Sequence, residues 1–413
     1  MTEIPPRCVI VGAGHAAAQL CASLHQGGWP GSVTLIGEED HAPYHRPPLS
    51  KAQLDPQADE EVQLIRPIAF YDEAEVTRIT GQRVTAIDRA NKQVAFGGQT
   101  LGYDTLVLST GSKHRLPPIP GIDLPHVMSL HKATDAERIK AKTESAKRIV
   151  VIGAGFIGLE VAASLRKHGV HVTVLELSDR VLSRVTTPEV SSYFEDLHRG
   201  NGVRLLTDVS ASNIAERGDG LEVTTSQGET LPADFVVVGA GAAANDDLAR
   251  DAGLDVDNGI VVNEFNQTSD PAIYAMGDCC NQHHPLYDTR LRLESVQNAT
   301  DQAKTVAKSM LGRPAAHDAL PWFWSDQYDV KFQIAGISTD HSAAVSRGEP
   351  TPGEPFSVWY FDGDRLIAVD AVNDARAYTV GSKLIPKRGR PDPAAIADPS
   401  VDLKTILKSA QGA

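Results

Sequence analysis

The sequence predicts an α/β chain with two doubly wound parallel sheets, one inserted in the other, followed by a smaller α+β domain. Two observations carry this. A strand, a glycine-rich turn, a helical pattern and a second strand occur twice, from Arg7 and again from Arg148. From Leu320 the texture changes to a tryptophan-rich run and alternating β segments.

The copy from Arg148 to Glu176 is the more complete. Ile149 to Ile152 is a continuous apolar run, as in a parallel strand buried on both faces. Gly153, Gly155 and Gly158 follow in G-x-G-x-x-G spacing. A helical pattern runs to His168, Gly169 ends it, and a strand from His171 to Leu175 stops at the acid Glu176. Each part has a physical task. Gly153 permits the tight turn, Gly155 lets backbone approach a pyrophosphate, and Gly158 lets helix and strand pack closely. The helix N-terminus offers unpaired N–H groups to phosphate. Glu176 is placed to accept from an adenosine ribose, and Arg180 stands nearby in sequence as a counter-charge. The acid favours NADH over NADPH, whose extra phosphate it repels.

The first copy runs from Arg7 to Val11 into Gly12-Ala13-Gly14-His15-Ala16-Ala17, the G-x-G-x-x-A form. A helical stretch reaches Gly27-Gly28, and the strand Val33 to Ile36 ends beside Glu38. The duplication continues: Tyr103 to Gly111 and Ala233 to Gly241 are each a polar start, a β run and a glycine end. Each follows a hairpin-like segment, Gln82 to Phe96 and Leu221 to Leu231. Two dinucleotide folds in one chain point to two dinucleotides exchanging a hydride: a resident flavin in the first, a transient nicotinamide in the second.

The predicted boundaries are 1–113 and 243–320 for the first fold, 114–242 for the second, and 321–413 for the last domain. Between them, Leu116 to Pro125 reads as a proline-rich linker, and Lys132 to Lys147 as a polar helix. Ser295 to Leu311 is a helical pattern with Lys304 and Lys308 one turn apart. In the last domain, β segments at Lys331–Ile337, Phe356–Phe361 and Leu366–Val372 precede helices near Asn373–Lys383 and Val401–Ser409.

The segment Ala42 to Lys51 carries Arg46 and Lys51 among prolines, with Ser50 as a helix N-cap. On residues alone it is equally a cofactor-facing cation pair or a solvated loop. Asp278, after Met276-Gly277, fits either a ribityl contact or an ordinary turn aspartate.

Bulk composition narrows the function. A formal charge of −14 argues against bulk nucleic-acid binding, and no apolar run reaches membrane-span length. Cys8, Cys21, Cys279 and Cys280 form no C-x-x-C and no metal-ligand spacing, so neither a disulfide redox centre nor a metal site is expected. The first strand starts too early to leave room for a signal peptide, and a cytoplasmic setting is expected.

Taken together, the Pro43–Lys51 motif, both fingerprints, Met276-Gly-Asp-Cys279, Glu294-Ser-Val-Gln-Asn-Ala299 and Trp322-Phe-Trp-Ser-Asp-Gln-Tyr328 resemble the FAD-dependent, NADH-linked ferredoxin reductases of bacterial oxygenase systems, of the putidaredoxin reductase type. The resemblance implies a glutathione-reductase-like pair of domains with an interface domain behind it. It implies tightly but non-covalently bound FAD, NADH as donor, and a [2Fe–2S] ferredoxin serving a cytochrome P450 or Rieske-type oxygenase. For FAD it implies Gly12, Gly14, Ala16 and Ala17 at the pyrophosphate, Glu38 at the ribose and Val84 by the adenine. It also implies Arg46, Lys51, Thr110, Gly111 and His131 along the cofactor, Asp278 at the ribityl chain, and Val296 and Trp324 at the isoalloxazine. For NADH it implies Gly153, Gly155, Ile157, Gly158 and Gly241, with Glu160 at the carboxamide and Glu176 and Arg184 at the adenosine half. Lys51, Glu160 and Trp324 are the implied catalytic residues.

The chain departs from the family pattern at three places. Leu130-His131-Lys132 lacks the usual phosphate-binding arginine, Ala244-Asn245 replaces Pro-Asn, and Gln297 replaces a proline. A flavin-dependent NADH oxidase or disulfide reductase, and a binding flavoprotein like apoptosis-inducing factor, share the fold. The first normally uses a cysteine beside the flavin, and none lies near Lys51.

Overall fold

A computed structural model describes residues 6–55, 57 and 61–410. The chain forms two compact units. One contains Met1–His45, Val62–Lys113 and Ala242–Pro321; the other contains Arg46–Glu61, His114–Gly241 and Trp322–Ala413.

The first unit is built on a five-stranded parallel sheet, ordered Ile273–Ala275, Thr105–Leu108, Arg7–Val11, Ser32–Ile36, Val76–Ile79. Its central strand is buried on both faces because residues alternate. Cys8 and Ile10 join one core with the helix His15–Gly27, while Val9 and Val11 join another with Val94 and Phe96. Full burial of a side chain such as Ile10 stabilises by about 2 kcal/mol.

The second unit repeats the plan. Its parallel sheet runs Arg204–Leu206, His171–Leu175, Arg148–Ile152, Phe235–Val238, Val127–Ser129. The outermost strand beside the closing strand comes from after the insertion in the first fold, and from before the helix of the second. Each parallel sheet has its own three-stranded antiparallel companion, Val84–Asp88 to Gln99–Gly102 and Ala211–Arg217 to Thr230–Ala233. The last segment adds an antiparallel sheet ordered Trp322–Gln327, Val330–Gly336, Arg365–Val372, Phe356–Asp362, Ala343–Arg347. The helix Ala375–Leu384 lies close on it: a Cβ on Gly381 would come 2.6 Å from Val369 Cγ2.

Several sequence expectations change. The proline-rich run read as a linker also packs: Ile119, Ile122 and Leu124 lie against the second fold's core. A Cβ on Gly121 would lie 1.9 Å from the Ile214 carbonyl. The structure adds the helix Pro188–Gly200 and the strands Val76–Ile79 and Arg204–Leu206. Ser50 does not cap a helix; it closes the 3₁₀ turn Pro47–Ser50.

Candidate functional site

In the first unit, Gly12 has φ +104°, and a Cβ there would lie 2.2 Å from the Ser109 carbonyl. Only glycine fits. Its amide donates to Ile36 O at 2.8 Å, and Ser109 Oγ donates back to Gly12 O at 2.8 Å, so the turn is fixed. Gly14 is the N-cap of His15–Gly27, no side chain caps it, and an added Cβ would meet nothing within 4 Å. The result is an open cradle at a helix N-terminus, the arrangement that takes a phosphate. Ala16 and Ala17 are buried behind it. Thr110 Oγ1 donates to Asn245 O at 2.6 Å, and Gly111, at φ +67°, is again open. Asp278 accepts from Ser112 at 3.2 Å, and the preceding amide of Gly277 donates to buried Gln302 at 2.7 Å. Val84 is buried at the start of its strand, and exposed Glu38 stands 3.5 Å from Arg83. Val296 opens a helix capped by its own Ser295, which accepts from the Asn298 amide at 3.1 Å. Residues with these shapes fit FAD: a phosphate cradle, and polar groups for ribose and ribityl hydroxyls.

The second unit holds the same turn. Gly153 has φ +102°, and a Cβ there would lie 2.5 Å from Gly239 O. A Cβ on Gly158 would lie 2.1 Å from Gly153 O, so helix and turn touch only because that position is bare. Gly155 caps Phe156–Lys167 without side-chain help and is open. Exposed Ile157 borders this turn. Glu176 accepts the Ala154 amide at 2.7 Å and the Ser178 amide at 2.8 Å, and Leu177 beside it is 75% exposed. Arg184 is exposed, with Nη2 3.5 Å from where a Cβ on Gly241 would be. These features fit a nicotinamide dinucleotide.

The structure gives Glu160 a setting that sequence reasoning missed. It is on the fingerprint helix and only 5% exposed. Its Oε2 accepts from Lys51 Nζ at 2.6 Å and Ser50 Oγ at 2.5 Å, and its Oε1 from Ser325 Oγ at 2.6 Å. A buried carboxylate needs such partners to stay charged. Ser164 donates to the Ser50 carbonyl at 2.8 Å, tying the turn to the same helix. Ser325 and Gln327 belong to the Trp322–Tyr328 motif, which gave them no individual role; their period-two spacing puts both on one face of Trp322–Gln327. Trp324 is on the other face, its ring 5.5 Å from Trp322. Arg46 Nη1 donates to the His131 carbonyl at 2.5 Å, and Asp135 accepts the His131 amide at 3.0 Å.

All four cysteines are buried. Burial pushes the Cys21 thiol up to about 12 and the others upward as well. Among the described residues no cluster could hold a metal ion, and no helix is long and apolar enough to cross a membrane.

The fold and the two cradles define a dinucleotide-handling oxidoreductase. The chain belongs to the pyridine nucleotide-disulphide oxidoreductase family, whose model matches residues 6–303, and a reductase C-terminal domain matches 322–407. It is 42% identical to rhodocoxin reductase of Rhodococcus erythropolis over 402 residues, 97% of this chain and 94% of that one. It is 41% identical to putidaredoxin reductase of Pseudomonas putida over 410 residues, 98% and 97% of the two chains. The reductase in the crystal structure of the covalent putidaredoxin reductase–putidaredoxin complex superposes with a TM-score of 0.95, at 40% identity and full coverage of both chains.

Proposed function

We propose that the protein is an FAD-dependent reductase that takes a hydride from NADH and passes electrons singly to a [2Fe–2S] ferredoxin serving a cytochrome P450 or Rieske-type oxygenase. The observation that carries this reading is the pair of open glycine cradles, at Gly14 and Gly155, each at an uncapped helix N-terminus. End-to-end similarity to ferredoxin reductases selects the electron acceptor. Bound FAD supplies a two-electron acceptor that releases electrons one at a time. One NADH and two oxidised ferredoxins thus give NAD⁺, two reduced ferredoxins and a proton.

The chain's own residues bind and orient. In this reading Gly12, Gly14, Ala16 and Ala17 form the turn at the FAD pyrophosphate, with Glu38 at its ribose, Val84 at its adenine and Asp278 at its ribityl chain. Gly153, Gly155 and Gly158 hold the NADH pyrophosphate, and Glu176 and Arg184 its adenosine half. Glu160 accepts from the nicotinamide carboxamide, Lys51 supplies positive charge, and Trp324 an aromatic face at the reacting end. The domain assignment is 1–113 with 243–320 for FAD, 114–242 for NAD, and 321–413 for the interface domain. Four free, buried cysteines accord with the cytoplasm. The same burial leaves no thiolate to run a peroxide or disulfide reduction.

Anaerobic titration tests the reading. One equivalent of NADH should bleach the flavin, and each NADH should reduce two equivalents of ferredoxin. Fast oxygen or disulfide reduction with the ferredoxin left oxidised would overturn it.

A further inference from the structure

A chain of buried polar groups leads away from Glu160. Ser325 Oγ donates to Glu160 Oε1 at 2.6 Å. Gln327 Nε2 donates to Ser325 Oγ at 3.2 Å, and Gln327 Oε1 faces His198 Nε2 at 2.9 Å. His198 Nδ1 faces the Tyr328 hydroxyl at 3.4 Å. Ser325, Gln327 and His198 are fully buried, and Glu160 nearly so. The carboxylate sets the direction of every link. A charged carboxylate only accepts, so Ser325 must donate to it. The Ser325 oxygen is then left to accept the Gln327 amide N–H. That turns the Gln327 oxygen toward His198, which must carry its proton on Nε2. Burial lowers the His198 pKa to about 4, so at neutral pH the ring is uncharged and Nδ1 is free to accept from Tyr328.

We propose that Gln327 and His198 are positioning residues that lock the Ser325 hydroxyl as a donor to Glu160 and so fix the carboxylate that faces the nicotinamide. This rests on the reading of Glu160 given above. The physical reason is the geometry of a serine hydroxyl. Without Gln327 it rotates, and Glu160 is held on one oxygen only, by Lys51 and Ser50. The carboxylate then turns about its own axis and loses the fixed acceptor direction.

Three variants of the holoenzyme test it, each read by NAD⁺ affinity in calorimetry and by the rate of flavin bleaching by NADH. Gln327→Leu should weaken NAD⁺ binding and slow bleaching, each by roughly tenfold. His198→Phe should match it, whereas His198→Gln, which can still donate to Gln327, should return to within roughly threefold of wild type. If Gln327→Leu does not fold, Ser325→Ala reads the same link. Folded, flavin-loaded Gln327→Leu with wild-type affinity and rate would overturn the proposal. So would equal losses in His198→Gln and His198→Phe, the mark of a packing role. Glu160→Gln run alongside separates the two claims. No effect there overturns the reading of Glu160 together with this proposal; a loss there with none in Gln327→Leu overturns only the positioning role.

Discussion

Glu176 accepts the Ala154 amide on one oxygen and the Ser178 amide on the other, so its charge is fixed at the end of its strand. Arg180, expected to soften that charge, is committed elsewhere: its guanidinium donates to Thr186 O, Ser191 Oγ and Ser183 O at 2.7 to 2.9 Å. A 2′-phosphate against Glu176 meets roughly 4 kcal/mol of repulsion at about 4 Å and an effective dielectric of 20. NADH should therefore exceed NADPH in kcat/KM by at least roughly 100-fold, and Glu176→Ala should narrow the ratio below roughly tenfold. Comparable kcat/KM for the two nucleotides in the wild type would refute this. Lys51 gives a second prediction. Its loss leaves a buried carboxylate with only hydroxyl donors, so Lys51→Met should destabilise by about 3 kcal/mol. Adding Glu160→Gln should recover most of that. Urea midpoints of the single and double variants decide it.

At the scale of elements, the two glycine turns separate folding from binding. Gly155 has φ −78° and open space around its Cβ position, so alanine costs the fold little. The same methyl would occupy the cradle. Gly155→Ala should raise KM for NADH by roughly tenfold or more with an unchanged melting temperature. Gly158→Ala should instead destabilise, because its Cβ would come 2.1 Å from Gly153 O. Equal losses of stability in the two variants would show that the open cradle has been misread. The helix Val296–Met310 offers an element-scale test of partner docking. Lys304 is paired with Asp301 at 2.8 Å, which offsets its charge toward an acidic partner, while Lys308 on the same helix is exposed. Lys308→Glu should raise KM for an acidic ferredoxin and leave NADH-to-ferricyanide turnover intact. Identical KM and salt dependence would place docking elsewhere.

Across the whole molecule, buried titratable groups set the pH dependence of stability. Burial lowers His198 and His317 to about 4. An unfolded histidine takes a proton near pH 6.5, so each contributes stability that is complete above 6.5 and is lost as pH falls toward 4, about 3 kcal/mol in all per group. Asp370 works in the opposite sense. Burial raises it to about 7, although Thr186 and Tyr360 both donate to it at 2.5 Å. Its unfolded form ionises near 4, so its charged form weakens the fold above 7, and that penalty fades as pH drops. Asp370→Asn should stabilise the fold more at pH 8 than at pH 4, by about 4 kcal/mol, as read from urea unfolding at the two values. The same gain at both values would contradict this assignment.

The sequence by itself determined both dinucleotide folds, because their signals are local. In the second, a continuous apolar run, glycines at fixed offsets and an acid closing the second strand all lie within 29 residues, Arg148 to Glu176. The burial of Leu106, Val150 and Phe235 follows from the same runs. It could not supply Glu160's partners. Ser50 and Ser325 lie 110 and 165 residues away, and Gln327 and His198 are 129 apart. Nothing local separates these serines from solvated ones. Short strands such as Arg204–Leu206 were equally silent, since three residues carry too little pattern and pairing with His171–Leu175 decides them. Tertiary structure settled these points because a buried charge must find its donors wherever the chain brings them, and sequence separation does not enter that requirement.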